Sequence, residues 1–346
     1  MNFYKIRLTA TFLTATLSMI FFTAANPVPA AETAAQFYQG KTIEWVTSGL
    51  AGGSTDLLAR VLAPYLAKET GAQVKVEAMG SDKSVNYVYG RVKPDGLTLL
   101  TRDTASLKLS ALLKTPGARW DLGKFNWLAD ALPEKAMFGV SPKLAHRTLE
   151  GLKAAEVLKA GGTGARGGMA VVPAVMFEVF GLNGKVISGY RGVKALALAL
   201  AKGEIDVISG SSETTSERNQ KEGHAVYLFT LGNERSALFP DLPAVDELGI
   251  KIPQNAQDAY ELVASGTGKA VATSPGVPAD RIAYLRRAFD NLVADPEVKK
   301  SLKKFAKSDP KYIPGEKLQA DMVKLVNNQS LTRELEAIIN KYLAVK

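Results

Sequence analysis

Two glycine-rich stretches carry the groups best suited to hold a ligand. Ala51-Gly52-Gly53-Ser54-Thr55 follows a short β-branched run, and Thr163-Gly164-Ala165-Arg166-Gly167-Gly168 precedes an apolar helical pattern. A glycine loop that opens a helix sets free N–H groups and the positive end of the helix dipole in front of an anion. Arg102 at a strand end and Arg166 inside the second loop add guanidiniums that can grip a carboxylate through two parallel hydrogen bonds. The competing reading of each is a surface arginine paired with a neighbouring acid. Ser84 in the polar loop 80–86, Tyr190 in the turn 189–192 and Ser209 to Ser211 offer hydroxyls to the same region. Asp56 is read first as a helix-capping acid rather than a ligand contact.

Other chemistries find less support. Gly162-x-Gly164-x-x-Gly167 matches the dinucleotide fingerprint, but no clear strand is read before it and Glu178 follows too closely to serve as the ribose acid. Neither glycine loop carries a Walker lysine, and there is no Gly-x-Ser-x-Gly elbow. His146 and His224 are the sole histidines and there is no cysteine, so thiolate metal sites and cysteine nucleophiles are excluded. No cofactor, metal or catalytic group is therefore expected. Lys299, Lys300, Lys303, Lys304 and Lys307 lie close together, but no aromatic RNA-binding stripe accompanies them; a solvated helix face is the reading, without nucleic acid.

The elements that must position these residues alternate. Ile43 to Thr47 reads as a strand, and Leu57, Leu58, Val61, Leu62, Tyr65 and Leu66 give a helical stripe ending at Gly71. Gln73–Ala78 and Leu97–Thr101 read as strands around a helix over Val85–Arg91. A β-α-β-α-β series predicts a parallel sheet with ligands outside the carboxyl ends of its strands, where loops 48–55, 80–86 and 101–106 would meet. The segment 111–130 reads as loop-rich, Ala136–Val140 as a strand and Leu149–Lys159 as a helix. A helix over Ala170–Phe180 and strands at Lys185–Ile187, Ile205–Ser209 and Val226–Leu231 repeat the α/β logic, with a helix over Val193–Ala201. Ala259–Ala264 reads as a strand and Arg281–Ala294 as a helix.

The first thirty residues read as an export signal: Lys5 and Arg7, an apolar run over Leu8–Ala25, and Val28-Pro29-Ala30 as a cleavage site ending at Ala30. A retained membrane anchor is the rival reading. Removing Lys5 and Arg7, with no acid before Glu32, takes the formal charge from +9 to +7. A cysteine-free exported chain suits the periplasm, and its positive balance mildly favours small anions. Of the 346 residues, 46% are hydrophobic, enough for two cores.

An ordered set of motifs then resembles one family. Gly52-Gly53-Ser54-Thr55-Asp56-Leu57-Leu58-Ala59-Arg60, Pro94-Asp95-Gly96-Leu97-Thr98-Leu99-Leu100, and Gly189-Tyr190-Arg191-Gly192 followed by Ala201-Lys202-Gly203-Glu204-Ile205-Asp206 are similar to signatures of the Bug-type receptors of tripartite tricarboxylate transporters. So are Arg235 to Gly249 and Ser274-Pro275-Gly276-Val277-Pro278-Ala279, and the order agrees from about Tyr38 to Glu297. The resemblance implies a two-lobed α/β protein of the type II periplasmic binding fold. Each lobe would be a mostly parallel sheet flanked by helices, with the ligand in the cleft between them. The expected limits are 1–30 for the signal peptide, 31–133 for the first lobe, 134–257 for the second, and 258–346 for a return to the first with C-terminal helices.

The implied function is capture of a small carboxylate by a monomer that delivers it to a permease of one large and one small subunit. A receptor for a membrane sensor kinase and an exported hydrolase or transferase are the alternatives. Carried over by position, the ligand contacts are Ala51 to Thr55 and Thr163 to Gly168. The chain departs from the family where Ser48 and Gly49 stand for the usual proline and aromatic before the first loop, and Ala51 for the proline before its glycine pair. Arg102 and Arg166 stand where small residues are common, which implies a carboxylate held more by charge.

Overall fold

The computed structural model describes Met1 and residues 32–49 and 51–343. The expected signal peptide and its cleavage site near Ala30 lie outside the described residues, save Met1.

After the short helix α1 (Ala34–Tyr38) the chain builds β1 (Thr42–Thr47), α2 (Ser54–Thr70), β2 (Gln73–Ala78), α3 (Ser81–Gly90) and β3 (Thr98–Asp103). Helix α2 buries Leu58, Ala59, Leu62, Ala63 and Leu66, a stripe at helical spacing, and stops at Gly71 in the left-handed region, φ 70°. Leu57 falls off that stripe and is exposed. The segment expected to be loop-rich contains the end of α4 (Thr104–Leu112) and β4 (Asn126–Asp130). Trp127 of β4 is fully buried and donates its indole N–H to Leu122 O at 3.0 Å.

The chain then passes to a second sheet through β5 (Ala136–Val140), α5 (Leu149–Lys153), β6 (Leu158–Gly162), α6 (Gly168–Phe180), β7 (Gly184–Ser188), α7 (Val193–Lys202), β8 (Val207–Ser212), α8 (Glu213–Lys221) and β9 (Val226–Thr230). The helix expected over 149–159 ends at Lys153, and a strand leads into the second glycine loop. The strand expected at 259–264 is a helix, α9 (Gln257–Ala264), which buries Ala259, Tyr260 and Val263 on one face. Its short apolar run fits either period, and burial on one side decides it. The return to the first sheet is made by β10 (Lys269–Thr273), followed by α10 (Ala279–Ala294), α11 (Pro296–Ala306), β11 (Ile313–Pro314), α12 (Gly315–Val326) and α13 (Gln329–Tyr342).

The strand order is β11-β4-β10-β3-β1-β2 in the six-stranded sheet and β7-β6-β8-β5-β9 in the five-stranded one. In the first, β1 pairs in parallel with β2 and β3, while β10 runs antiparallel to both β3 and β4. In the second, β6 pairs in parallel with β7 and β8, and β5 runs antiparallel to β8 and β9. Each sheet is therefore mixed in its pairings but runs mostly one way. Strands β5 and β10, which directly follow the chain's passage from one sheet to the other, run against the main direction of their sheets, as does the two-residue β11.

Apolar side chains of α2, α10 and α11 pack on one face of the first sheet, and those of α3 and α12 on the other. Helices α6, α9 and α13 pack on the second sheet, with α7 on its opposite face. The C-terminal helix thus joins the second sheet's core, where Glu178 of α6 accepts from Lys341 and from the Tyr342 hydroxyl at 2.8 Å. Among the described residues no helix is long and apolar enough to cross a membrane.

Candidate functional site

The carboxyl ends of the parallel strands open into one cleft of roughly 550 Å³. Strand β1 leads into the 48–53 loop, β3 into α4, and β6 into the 163–167 loop. Both loops end at a helix whose N-cap is a glycine, Gly53 for α2 and Gly167 for α6, and neither helix has a side-chain cap. Their first-turn N–H groups are not satisfied by a capping side chain, which leaves donors of the kind that bind anions. Helix α4 differs: the Asp103 carboxylate caps it, accepting from Ser106 N–H at 2.9 Å.

Of the residues expected at the site, the structure brings Thr55, Arg102, Thr163, Gly164, Ala165, Arg166, Gly167 and Gly168 to the cleft wall. Ala51, Gly52, Gly53 and Ser54 sit in the adjoining loop and first turn without lining it. Ser84 is buried on α3 and Ser209 is buried within β8, its hydroxyl 3.5 Å from Met137 O. Tyr190 packs against the apolar cluster that includes Leu196 and Met169, and burial pushes its phenol pKa up.

The lining also includes Ser48, Gly49, Asp103, Ser106, Ser110, Thr115 and Pro116. The first four fall inside the loops expected to meet there. Ser106 and Ser110 lie four residues apart on α4, a spacing that puts two hydroxyls on one helix face; an unrecognised helix hid that signal.

The two arginines are held differently. Arg102 is buried in the wall, with its guanidinium 3.4 Å from Ser110 Oγ among its contacts. Arg166 is exposed and donates to Leu113 O, so it ties the second glycine loop to the C-terminal end of α4. Arg166→Ala is expected to cost about 1 kcal/mol of stability from that bond and to weaken binding of anions severalfold, checked by urea unfolding and by calorimetric titration with a carboxylate.

Asp56 contributes from behind the loop. Fully buried, it accepts from Gly52 N–H and Arg60 Nε–H, both at 2.9 Å. It pins the first glycine loop from within and does not line the cleft.

The fingerprint Gly162-x-Gly164-x-x-Gly167 does follow a strand, β6, contrary to the expectation from sequence. Its would-be ribose acid, Glu178, is nevertheless occupied by Asn255, Lys341 and Tyr342. His146 is exposed and His224 is half-buried, and neither lines the cleft. Among the described residues no group of three histidine or acidic side chains is placed to hold a metal.

No family model matches the chain. It is 28% identical over 285 residues to a UPF0065 protein of Cupriavidus necator, covering 80% of this chain and 82% of that one. A UPF0065 protein of Bordetella bronchiseptica is 25% identical over 291 residues, covering 79% of each. The chain is thus similar in sequence to UPF0065 proteins.

Solved structures agree on the fold of the chain. A TctC solute-binding protein from Polaromonas superposes with a TM-score of 0.65 at 21% identity, covering 88% of this chain and 99% of that one. The periplasmic binding protein BugD gives 0.66 at 20% identity, covering 89% and 100%. The MatC protein of Rhodopseudomonas palustris, solved with bound malate, gives 0.67 at 18% identity, covering 86% and 99%. The fold expected from the family resemblance, two sheets flanked by helices in the manner of periplasmic binding proteins, is the fold observed.

Proposed function

We propose that this protein is an extracytoplasmic solute-binding receptor that captures a small organic carboxylate in the cleft by closure of its two sheet layers. The captured acid is then delivered to a tripartite tricarboxylate-type permease of one large and one small membrane subunit. The observation that carries the reading is the pairing of two glycine-capped helix N-termini with two arginines around one polar cleft. Each helix end favours a negative charge, and each guanidinium favours a planar carboxylate. The malate bound by the similarly folded MatC supports the ligand class. Binding without turnover is supported by a lining that holds no histidine among the described residues, and whose one carboxylate, Asp103, is engaged by Ser106 N–H and the Thr267 hydroxyl. Ligand contacts are assigned to Thr55, Arg102 and Thr163 to Gly168, with Ser106 and Ser110 added from α4.

Thermal unfolding of residues 31–346 against a panel of carboxylates and their uncharged amides tests the proposal. A ligand at about a hundred times its dissociation constant adds roughly 2.7 kcal/mol of stability, a readily measured rise in Tm. A rise with one class of acid and none with its amides is expected. Equal responses to acids and amides would sink the anion-binding reading.

A further inference from the structure

We infer that the cleft is built for a short hydroxylated acid and discriminates against aromatic and long unsubstituted aliphatic acids. The inference rests on the carboxylate reading above and narrows it. Ser48, Thr55, Ser106, Ser110 and Thr163, all hydroxyl-bearing residues, line the cavity. Among the described residues its apolar side chains are Ala165 and Pro116, with no aromatic ring and no branched aliphatic group. Most small-molecule sites are lined chiefly by apolar and aromatic groups, and an aromatic ligand draws its affinity from such contacts. A phenyl ring or a chain of methylenes placed here would instead dry the wall's hydroxyls without giving them a partner. Buried polar groups left unpaired in this way are costly.

Asp103 sharpens the selection. Its carboxylate is among the lining groups, fixed by the Ser106 N–H on one oxygen and by the Thr267 hydroxyl on the other. The Lys269 ammonium lies 3.9 Å from the same carboxylate, whose remaining lone pairs accept from a ligand hydroxyl. Ser106 brings a hydroxyl to the N-terminus of α6: a Cβ placed on Gly168 would sit 3.3 Å from Ser106 Oγ. A ligand hydroxyl close to its carboxylate could therefore meet Ser106 while the carboxylate meets the helix end. A site that hydrogen-bonds a substrate hydroxyl rejects the analogue lacking it far more strongly than an apolar pocket rejects a missing methylene.

The test is calorimetric titration of residues 31–346, dialysed free of retained ligand, with succinate, malate and tartrate. These share four carbons and two carboxylates and carry zero, one and two hydroxyls; adipate and benzoate complete the set. Affinity is expected to rise by about tenfold or more from succinate to the better of the hydroxylated pair, with adipate and benzoate weakest. Ser106→Ala and Thr163→Val, shown by circular dichroism to be folded, should shrink the gap between succinate and the hydroxy acids. Equal affinity for succinate, malate and tartrate, or tighter binding of adipate or benzoate, would overturn the inference and leave the carboxylate receptor standing. Silence with all five acids would overturn both. Variants that bind less tightly but keep the full gap would also count against it.

Discussion

Replacing Lys269 with methionine is expected to lower the stability of the protein by about 3–5 kcal/mol, the usual result of stripping one partner from a buried ion pair. Lys269 opens β10 and is almost fully buried, with Nζ 3.2 Å from Glu134 Oε2 and 3.9 Å from Asp103 Oδ2. Burial alone would drive its proton off, but the facing carboxylates of Glu134 and Asp103 outweigh it and hold the ammonium charged. Methionine keeps the length of the side chain and removes the charge. Glu134 is then buried with only Thr214, which donates its hydroxyl at 2.5 Å and its N–H at 3.4 Å.

The position magnifies the effect. Glu134 and Thr267 exchange both backbone hydrogen bonds, at 2.8 and 3.0 Å, where the outgoing and returning connections between the sheets run side by side. Urea unfolding at pH 7 measures the loss, read from the midpoint at constant slope. The double variant Lys269→Met, Glu134→Leu should regain much of the lost stability, since an apolar pair replaces an uncompensated charge. A single variant within about 1 kcal/mol of the parent would mean that this cluster is solvated and not a buried pair.

The elements that proved legible in the sequence are those whose signals are local. Strand, glycine loop and helix over 42–70 were readable because breakers and apolar spacing agree there, and Gly71 closes the helix as a left-handed cap should. Strand β6 was not readable, and packing explains why. A Cβ on Gly161 would lie 2.5 Å from Leu196, and one on Gly162 would lie 2.6 Å from Ala170. Close approach of α6 and α7 demands small residues and erases the β-branched signature of a strand. Strand β10, Lys269-Ala270-Val271-Ala272-Thr273, is buried along its whole length yet begins with a lysine and carries two alanines. Its identity comes from neighbours distant in the chain.

The site divides in the same way. Both glycine loops and both arginines were readable from residue type and placement. Ser106 and Ser110 were hidden in an unrecognised helix, and the tie from Arg166 to Leu113 O depends on a contact 53 residues away in sequence.

Asp56→Ala is expected to cost about 2–3 kcal/mol of stability and to weaken ligand binding by tenfold or more, although Asp56 does not line the cleft. The carboxylate oxygen that accepts from Gly52 N–H also accepts from Arg60, so one group fixes the loop to the second turn of α2. Hydrogen bonds to a charged group contribute about 1.5–3 kcal/mol, and a buried donor left unpaired adds its own cost. Freed from that pin, the 51–53 loop no longer presents the start of α2 and Thr55 in one arrangement, and a ligand must order them as it binds.

The pH dependence separates this role from simple packing. Burial pushes the Asp56 carboxyl up, but the bonds from Arg60 and Gly52 pull it further down, and its pKa in the folded protein lies below the ordinary value. A depressed carboxyl contributes stability that is fully present above its unfolded pKa, about 3.9, and is lost as pH falls through the folded value. The gap between parent and Asp56→Ala should accordingly hold from pH 7 to about pH 5 and close below about pH 4. Asp56→Asn, which keeps an acceptor for Gly52 but surrenders the charge facing Arg60, should lie between the two and show a flatter profile. Urea midpoints across that range, paired with calorimetric titration of the best-binding acid at pH 7, decide it. An affinity loss without any stability loss would instead place Asp56 in direct contact with the ligand.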